Sequence, residues 1–106
     1  MIYPILNMRV KGAIWYQAES NILDPFGYIC LFPRMIEDWR VKWGLKSEEF
    51  SFYFVQLASY IQGNPGILLP QMRLCQTAAL QLPSVGFATA IDLGDITSPF
   101  GDIHPR

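Results

Sequence analysis

A short polar cluster directly follows an apolar run near the start of the chain. Residues 13–16 are apolar, and the polar residues that come next are Gln17, Glu19, Ser20 and Asn21. A buried strand that ends at several hydrogen-bonding side chains is how an α/β protein presents reactive groups at the carboxyl edge of its sheet. We therefore predict that Gln17 and Glu19 lie at such an edge.

The single histidine, His104, is the second candidate for chemistry. An imidazole with a carboxylate within reach forms part of an acid–base relay, in which the ring takes a proton from a hydroxyl nucleophile. Asp102 lies close before His104 in the chain, and Glu19 could reach it across the sheet edge. Taken alone, one histidine beside one aspartate is weak evidence, and a surface histidine is the simpler interpretation.

Ser20 could be taken for a nucleophile, because it lies within the polar cluster. Its neighbours are Ala18-Glu19 on one side and Asn21-Ile22 on the other. They do not form the Gly-x-Ser-x-Gly elbow that exposes a nucleophilic serine in α/β-hydrolases. We therefore predict that Ser20 is not a nucleophile.

Composition and charge exclude several classes of protein. The chain has 106 residues, of which 51% are hydrophobic and 16% are charged, and this fits one small folded domain. A net charge of −1 gives no basic footprint for nucleic acid. No run is long and apolar enough to cross a membrane, and no secretory signal is visible. The apolar excess predicts that missing chain or a partner covers part of the surface.

The cysteines and tryptophans are predicted to belong to the hydrophobic core rather than to a functional site. Cys30 and Cys75 lack the spacing of metal ligands and fall in apolar helical segments, so we predict two buried free thiols and no metal site, with a single disulfide as the alternative. Trp39 and Trp43 fall on the apolar stripe of a predicted helix. Together with Trp15 they are predicted to pack in the core rather than form a sugar platform.

Strands and helices alternate along the chain. Consecutive apolar residues predict strands over 10–17, 50–57 and 85–93, and apolar stripes at helical spacing predict helices over 28–43 and 70–82. Pro33 predicts a helix start or a kink near it. The order β-α-β-α-β implies right-handed crossovers and a parallel sheet, which is an α/β fold.

Each predicted strand ends in polar residues. They are Gln17 and Glu19 for the first strand, Gln56 for the second, and Asp92 and Asp95 for the third. In a parallel sheet these positions share one edge, which is where ligands bind in open α/β sheets. Each residue also has a simpler interpretation. Glu19 would be a solvated loop carboxylate, Gln17 an amide bonded to nearby backbone groups, and Asp92 a cap for the following loop.

The stretch KGAIWYQAESN resembles the Gly-x-x-Trp-Tyr-Gln-Gly-Glu-Ser-Asn block of sialate O-acetylesterases, carbohydrate acetylesterases of the SGNH (GDSL-like) hydrolase group. The stretches LFPRMIEDWR, FYFVQLASY and AIDLGDITSPFGDIHPR agree with further blocks of that family, in the same order. Together these stretches extend over nearly the whole chain, and the last one resembles the block that carries the catalytic histidine.

The resemblance implies a flavodoxin-like three-layer α/β/α domain that removes acetyl groups from O-acetylated sialic acid or related sugars, without metal or cofactor. It implies that His104 is the general base and that Gln17 donates a hydrogen bond in the oxyanion hole. The acid that orients the histidine is Asp102 or Glu19, with Asp102 favoured by its nearness in sequence. The resemblance places Ala18 beside Gln17 at the oxyanion and substrate-binding site. Ala18 stands where the family usually has glycine, so it could shift the loop or crowd that site.

The family's nucleophilic serine lies in a Gly-Gln-Ser-Asn-Met-like block before the Trp-Tyr-Gln stretch, and the 106 residues contain no such block. We therefore expect residues 1–106 to be part of an esterase domain, inactive alone. One alternative is a non-catalytic product or pseudoenzyme that binds an acylated glycan or a partner. Another is complementation by a separate N-terminal piece. The resemblance suggests a secreted, periplasmic or lysosomal parent, and the compartment stays open.

Overall fold

The computed structural model describes residues 2–59 and 66–94. Its strands and helices are β1 (Gly12–Trp15), α1 (Pro25–Trp43), β2 (Ser51–Gln56), α2 (Leu68–Gln76) and β3 (Val85–Thr89). Short 3-10 turns cover Tyr3–Ile5, Glu19–Asn21 and Thr77–Gln81. The three strands lie in the order β1-β2-β3 and both neighbouring pairs are parallel. The predicted β-α-β-α-β order and parallel α/β sheet are confirmed.

Both helices begin earlier than predicted, and the reason is the chemistry of their first turns. The carboxylate of Asp24 accepts a hydrogen bond from the Gly27 N–H at 3.0 Å, and Pro25 occupies the first helical turn, so α1 starts at an ordinary N-cap. Pro70 lies in the first turn of α2, where a missing N–H costs nothing. Pro33 does not start α1 but lies buried inside it.

The core is built by one face of the sheet and both helices. Phe52 and Phe54 of β2 are buried against Phe32 of α1 and Met72 of α2. The ring centroids of Phe32 and Phe54 lie 5.2 Å apart in an edge-to-face arrangement, the geometry that aromatic quadrupoles favour. The three tryptophans pack against this cluster, as predicted.

The opposite face of the sheet is uncovered among the described residues. Ile14 is 83% exposed and its β2 neighbour Tyr53 is 55% exposed. Two successive crossovers of the same hand in a sheet of order β1-β2-β3 place both helices on one side, so residues 2–59 and 66–94 form the sheet and one helical layer. Part of the predicted excess of apolar surface lies here, and part lies on the helices, at Val41 and Leu74.

The prediction of two buried thiols was partly wrong, because Cys75 is buried but Cys30 is exposed on α1.

A buried arginine fixes the amino end of the sheet, away from the predicted site. Arg40 of α1 donates from Nε and Nη2 to the Phe50 carbonyl, and from Nη2 to the Pro83 carbonyl at 2.8 Å. Burial lowers the pKa of Arg40, while the charges of Glu48 and Glu37 oppose that change. Arg40 therefore ties the residue before β2 to the turn before β3.

Candidate active site

The side-chain amide of Gln17 is held on two sides just beyond the end of β1. The Tyr28 hydroxyl donates to Gln17 Oε1 at 3.0 Å, and Gln17 Nε2 donates to Asn21 Oδ1 at 2.7 Å. The Glu19–Asn21 turn is what brings Asn21 back to Gln17. An amide nitrogen has two N–H donors, so one remains for another acceptor after Asn21 is satisfied.

The chain turns at Ala18 through a conformation that glycine favours. Ala18 has φ 144° and ψ −1° and is fully buried. For a residue with a Cβ atom this region is strained by roughly 1–3 kcal/mol. The strain coincides with the position at which the resembled family usually has glycine, and here the methyl group is accommodated inside the core.

Glu19 lies at the predicted edge, next to Gln17 in the chain. Glu19 is exposed, and its Oε2 accepts the N–H of Ala18 at 3.0 Å. The Ala18 N–H therefore already has the Glu19 carboxylate as its acceptor. Ser20 is also exposed in the same turn.

Tyr28 is kept in its neutral, donating form by its surroundings. Burial raises the pKa of Tyr28, and the nearby charge of Glu19 raises it further. The indole N–H of Trp15 opposes this rise. That N–H is buried and makes no well-formed hydrogen bond within the described part of the chain. A neutral phenol donates to a carbonyl oxygen, and this orients the Gln17 amide with its nitrogen away from Tyr28.

Sequence reasoning missed Gln76, although it connects two strand ends at this edge. Gln76 is fully buried on α2, and its amide bonds to backbone groups of Gln17, Val55 and Leu57. A signal was present, because Gln76 lies four residues after Met72 on the predicted apolar stripe.

Gln56 and Asp92, the other predicted strand-end residues that the structure describes, are not joined to Gln17. Gln56 Nε2 donates to the Arg73 carbonyl at 2.9 Å, so α2 occupies this amide. Asp92 is exposed in the turn after β3. β2 separates β3 from β1, which places the two outer strands roughly 10 Å apart.

Asp95, Asp102 and His104 lie outside the described residues, so their roles stay predictions. Within residues 2–59 and 66–94, no three His, Cys, Asp or Glu side chains are grouped as a metal site would require. The helices in the same part of the chain are too short or too polar to cross a membrane.

Comparison with known proteins gives relatives over the whole chain. No family model matches. The chain is 44% identical over 119 residues to the sialate O-acetylesterase of Mus musculus and 42% identical over 121 residues to that of Homo sapiens. Both alignments cover 100% of this chain, but 22% of the mouse protein and 23% of the human protein. The chain thus spans about a quarter of the length of the curated relatives it matches.

A solved structure agrees with these relatives. The crystal structure of a carbohydrate acetylesterase from Xanthomonas citri superposes with a TM-score of 0.81 and 37% sequence identity, over 99% of this chain and 24% of that one. The predicted α/β fold with a parallel sheet and the predicted resemblance are confirmed. By sequence and by fold, the chain is related to the sialate O-acetylesterase family, whose C-terminal part it matches along its full length.

Proposed function

We propose that this chain supplies the oxyanion-hole amide and the general base of a carbohydrate O-acetylesterase whose nucleophilic serine lies outside the 106 residues. The observation that carries the proposal is the geometry of Gln17. Its carboxamide is oriented by Tyr28 and Asn21, and one N–H remains after both bonds are made. A fixed donor costs no reorganisation when an oxyanion forms beside it.

In the proposed reaction, a serine oxygen attacks the carbonyl carbon of an acetyl ester and loses its proton to His104. The carbonyl oxygen becomes an oxyanion that accepts the free N–H of Gln17. Collapse of this intermediate breaks the ester bond, and the protonated His104 gives its proton to the departing sugar oxygen, which leaves as a hydroxyl. Water then hydrolyses the acetyl-serine by the same route.

The acid that orients His104 is assigned to Asp102 rather than Glu19. The Glu19 carboxylate already accepts the Ala18 N–H and is exposed to water. The names of the relatives support an acetylated carbohydrate as the substrate class, with O-acetylated sialic acid as the first substrate to test.

The test is hydrolysis of p-nitrophenyl acetate by the 106-residue chain, alone and mixed with a fragment of the human relative that ends before the matched segment. We expect no turnover by the chain alone, and turnover by the mixture that is lost with His104→Ala. Turnover by the chain alone that depends on His104 would refute the requirement for an outside serine.

The same preparations distinguish a non-catalytic role. Saturable binding of O-acetylated sialic acid by the chain, with no hydrolysis in the mixture, would replace the esterase proposal by a glycan-binding one.

A further inference from the structure

Gln76 is a fully buried polar side chain whose hydrogen bonds all go to backbone groups at one end of the sheet. Its Nε2 donates to the Gln17 carbonyl and to the Val55 carbonyl, both at 3.3 Å, and its Oε1 accepts the Leu57 N–H at 3.2 Å. A buried amide without partners costs free energy, so this arrangement is a satisfied and specific one.

The hydrogen bonds of the Gln76 side chain lie just beyond the last paired residues of β1 and β2. The register of β1 with β2 stops at the pair Trp15 and Phe54. Beyond that pair the Gln76 carboxamide lies between the two backbones and bonds to both, as a ladder bond would. It therefore sets the spacing between the two chain segments after they leave the sheet.

Arg73, one turn earlier on α2, holds the same end of β2. Its Nε donates to the Leu57 carbonyl at 2.7 Å and its Nη2 donates to the Ala58 carbonyl at 2.8 Å. The Gln56 amide in turn donates to the Arg73 carbonyl. α2 and the end of β2 are thus fixed to each other, so Gln76 contacts Gln17 from a rigid support.

We propose that Gln76 is a positioning residue for Gln17, which it holds by the main-chain carbonyl while Tyr28 and Asn21 hold the side chain. This inference rests on the proposed function, in which Gln17 is the oxyanion donor. A donor must lie within a few tenths of an ångström of its place to stabilise the transition state, so the backbone that carries it must be fixed as well.

The test measures the NMR chemical shifts of the Gln17 side-chain amide rather than activity. In a 15N–1H NMR spectrum of the 106-residue chain, the Gln17 side-chain pair is assigned by its loss in Gln17→Leu. We expect Gln76→Met, which keeps the volume and removes every hydrogen bond, to shift this pair toward the position of a free glutamine amide. Met72→Ala is the matched control, because it leaves a cavity on the same helix without removing a bond to Gln17.

A second variant covers the case in which Gln76→Met does not fold. Gln76→Glu keeps an acceptor for Leu57 but loses both donors, and its neutral form at lower pH regains one. Burial favours the neutral form of a carboxyl at this position, so the spectrum is followed from acidic to alkaline pH. We expect the Gln17 pair to lie near its original position while the carboxyl is neutral and to shift as the carboxyl ionises.

The inference would be overturned if the chemical shifts of the Gln17 side-chain amide were unchanged in a folded Gln76 variant. It would also be overturned if those shifts already matched a free glutamine amide in the wild type. A shift as large in Met72→Ala as in Gln76→Met would do the same. Failure of the esterase mixture with these shifts intact would count against the proposed function alone.

Discussion

The Tyr28 hydroxyl donates a hydrogen bond to Oε1 of Gln17 at 3.0 Å, and so joins the start of α1 to the end of β1. Tyr28→Phe removes this bond and leaves the amide oxygen without a donor. We expect the free energy of unfolding to fall by about 1 kcal/mol, measured by urea denaturation near neutral pH. Tyr3→Phe, at a side chain that is 85% exposed, is the control and should leave stability unchanged.

The same pair gives a pH dependence. Because the pKa of Tyr28 is raised in the folded protein, the unfolded chain loses the phenolic proton first as pH rises. The stability that Tyr28 contributes is therefore present below about pH 10 and is lost as pH rises through the raised folded value. The difference in unfolding free energy between wild type and Tyr28→Phe should shrink above that pH, and a growing difference would contradict the assignment.

Ala18→Gly should not destabilise the protein. The change relieves roughly 1–3 kcal/mol of strain at φ 144°. Against this it removes a buried methyl worth about 0.8 kcal/mol and adds unfolded-state entropy worth about 0.4–1 kcal/mol. At mid-range values the gain exceeds the losses by about 0.5 kcal/mol, so chemical denaturation should show stability that is unchanged or slightly higher.

Ala79→Gly is the matched control for Ala18→Gly. Ala79 is equally buried but lies in a 3-10 turn without a positive φ. Here the methyl and the entropy are lost with no strain to relieve, so stability should fall by about 1–2 kcal/mol. Equal losses at the two positions would show that Ala18 is not strained.

Arg40→Lys should cost about 2–3 kcal/mol of stability, although it keeps the charge. A single ammonium group cannot donate to the Phe50 and Pro83 carbonyls with the fork geometry of a guanidinium. Arg34→Lys is the control, because the Arg34 side chain is 77% exposed and its contact with Glu37 is a surface ion pair. Thermal unfolding of both variants measures the difference, and a small loss at both positions would count against the buried bonds of Arg40.

The two thiols should react at different rates with a disulfide reagent under native conditions. Cys30 is exposed, whereas Cys75 is 6% exposed and burial raises the pKa of its thiol. We expect rapid reaction of one thiol per chain, abolished by Cys30→Ser and retained in Cys75→Ser. Rapid reaction of both thiols in the native protein would show that Cys75 is not buried.

Gln17→Leu should lower kcat of the reconstituted esterase by roughly 10²–10³-fold, as loss of an oxyanion donor does in other enzymes. KM should change far less, because the oxyanion forms only in the reaction. Gln81→Leu is the control, since Gln81 is an exposed glutamine at the end of the Thr77–Gln81 turn. Similar kcat losses in both variants would remove the special role of Gln17.

The order of strands and helices could be predicted from the sequence because apolar residues recur with the periods of buried strands and helices. Helix starts could not be placed as well, because Asp24, Pro25 and Gly27 also form a common turn pattern. The edge position of Gln17 followed from its place after an apolar run. Its partner Tyr28 did not, because a hydrogen bond between separate elements leaves no pattern in the chain.

Buried polar residues were the harder class to predict. Gln76 occupies a position on the apolar stripe of α2, and Arg40 lies one residue beyond Trp39 on α1. Their contacts go to main-chain carbonyls, and those acceptors are the same for every residue type. Such bonds depend on the three-dimensional path of the backbone rather than on side-chain identity, so composition and spacing could not reveal the acceptors.

The uncovered face of the sheet should promote self-association of the chain in solution. Ile14 and Tyr53 expose neighbouring aliphatic and aromatic side chains to water on this face. Concentrating the chain brings such faces together, and salting-out ions strengthen the tendency. Dilute, low-sulfate buffers are therefore the conditions in which it can be handled as single molecules.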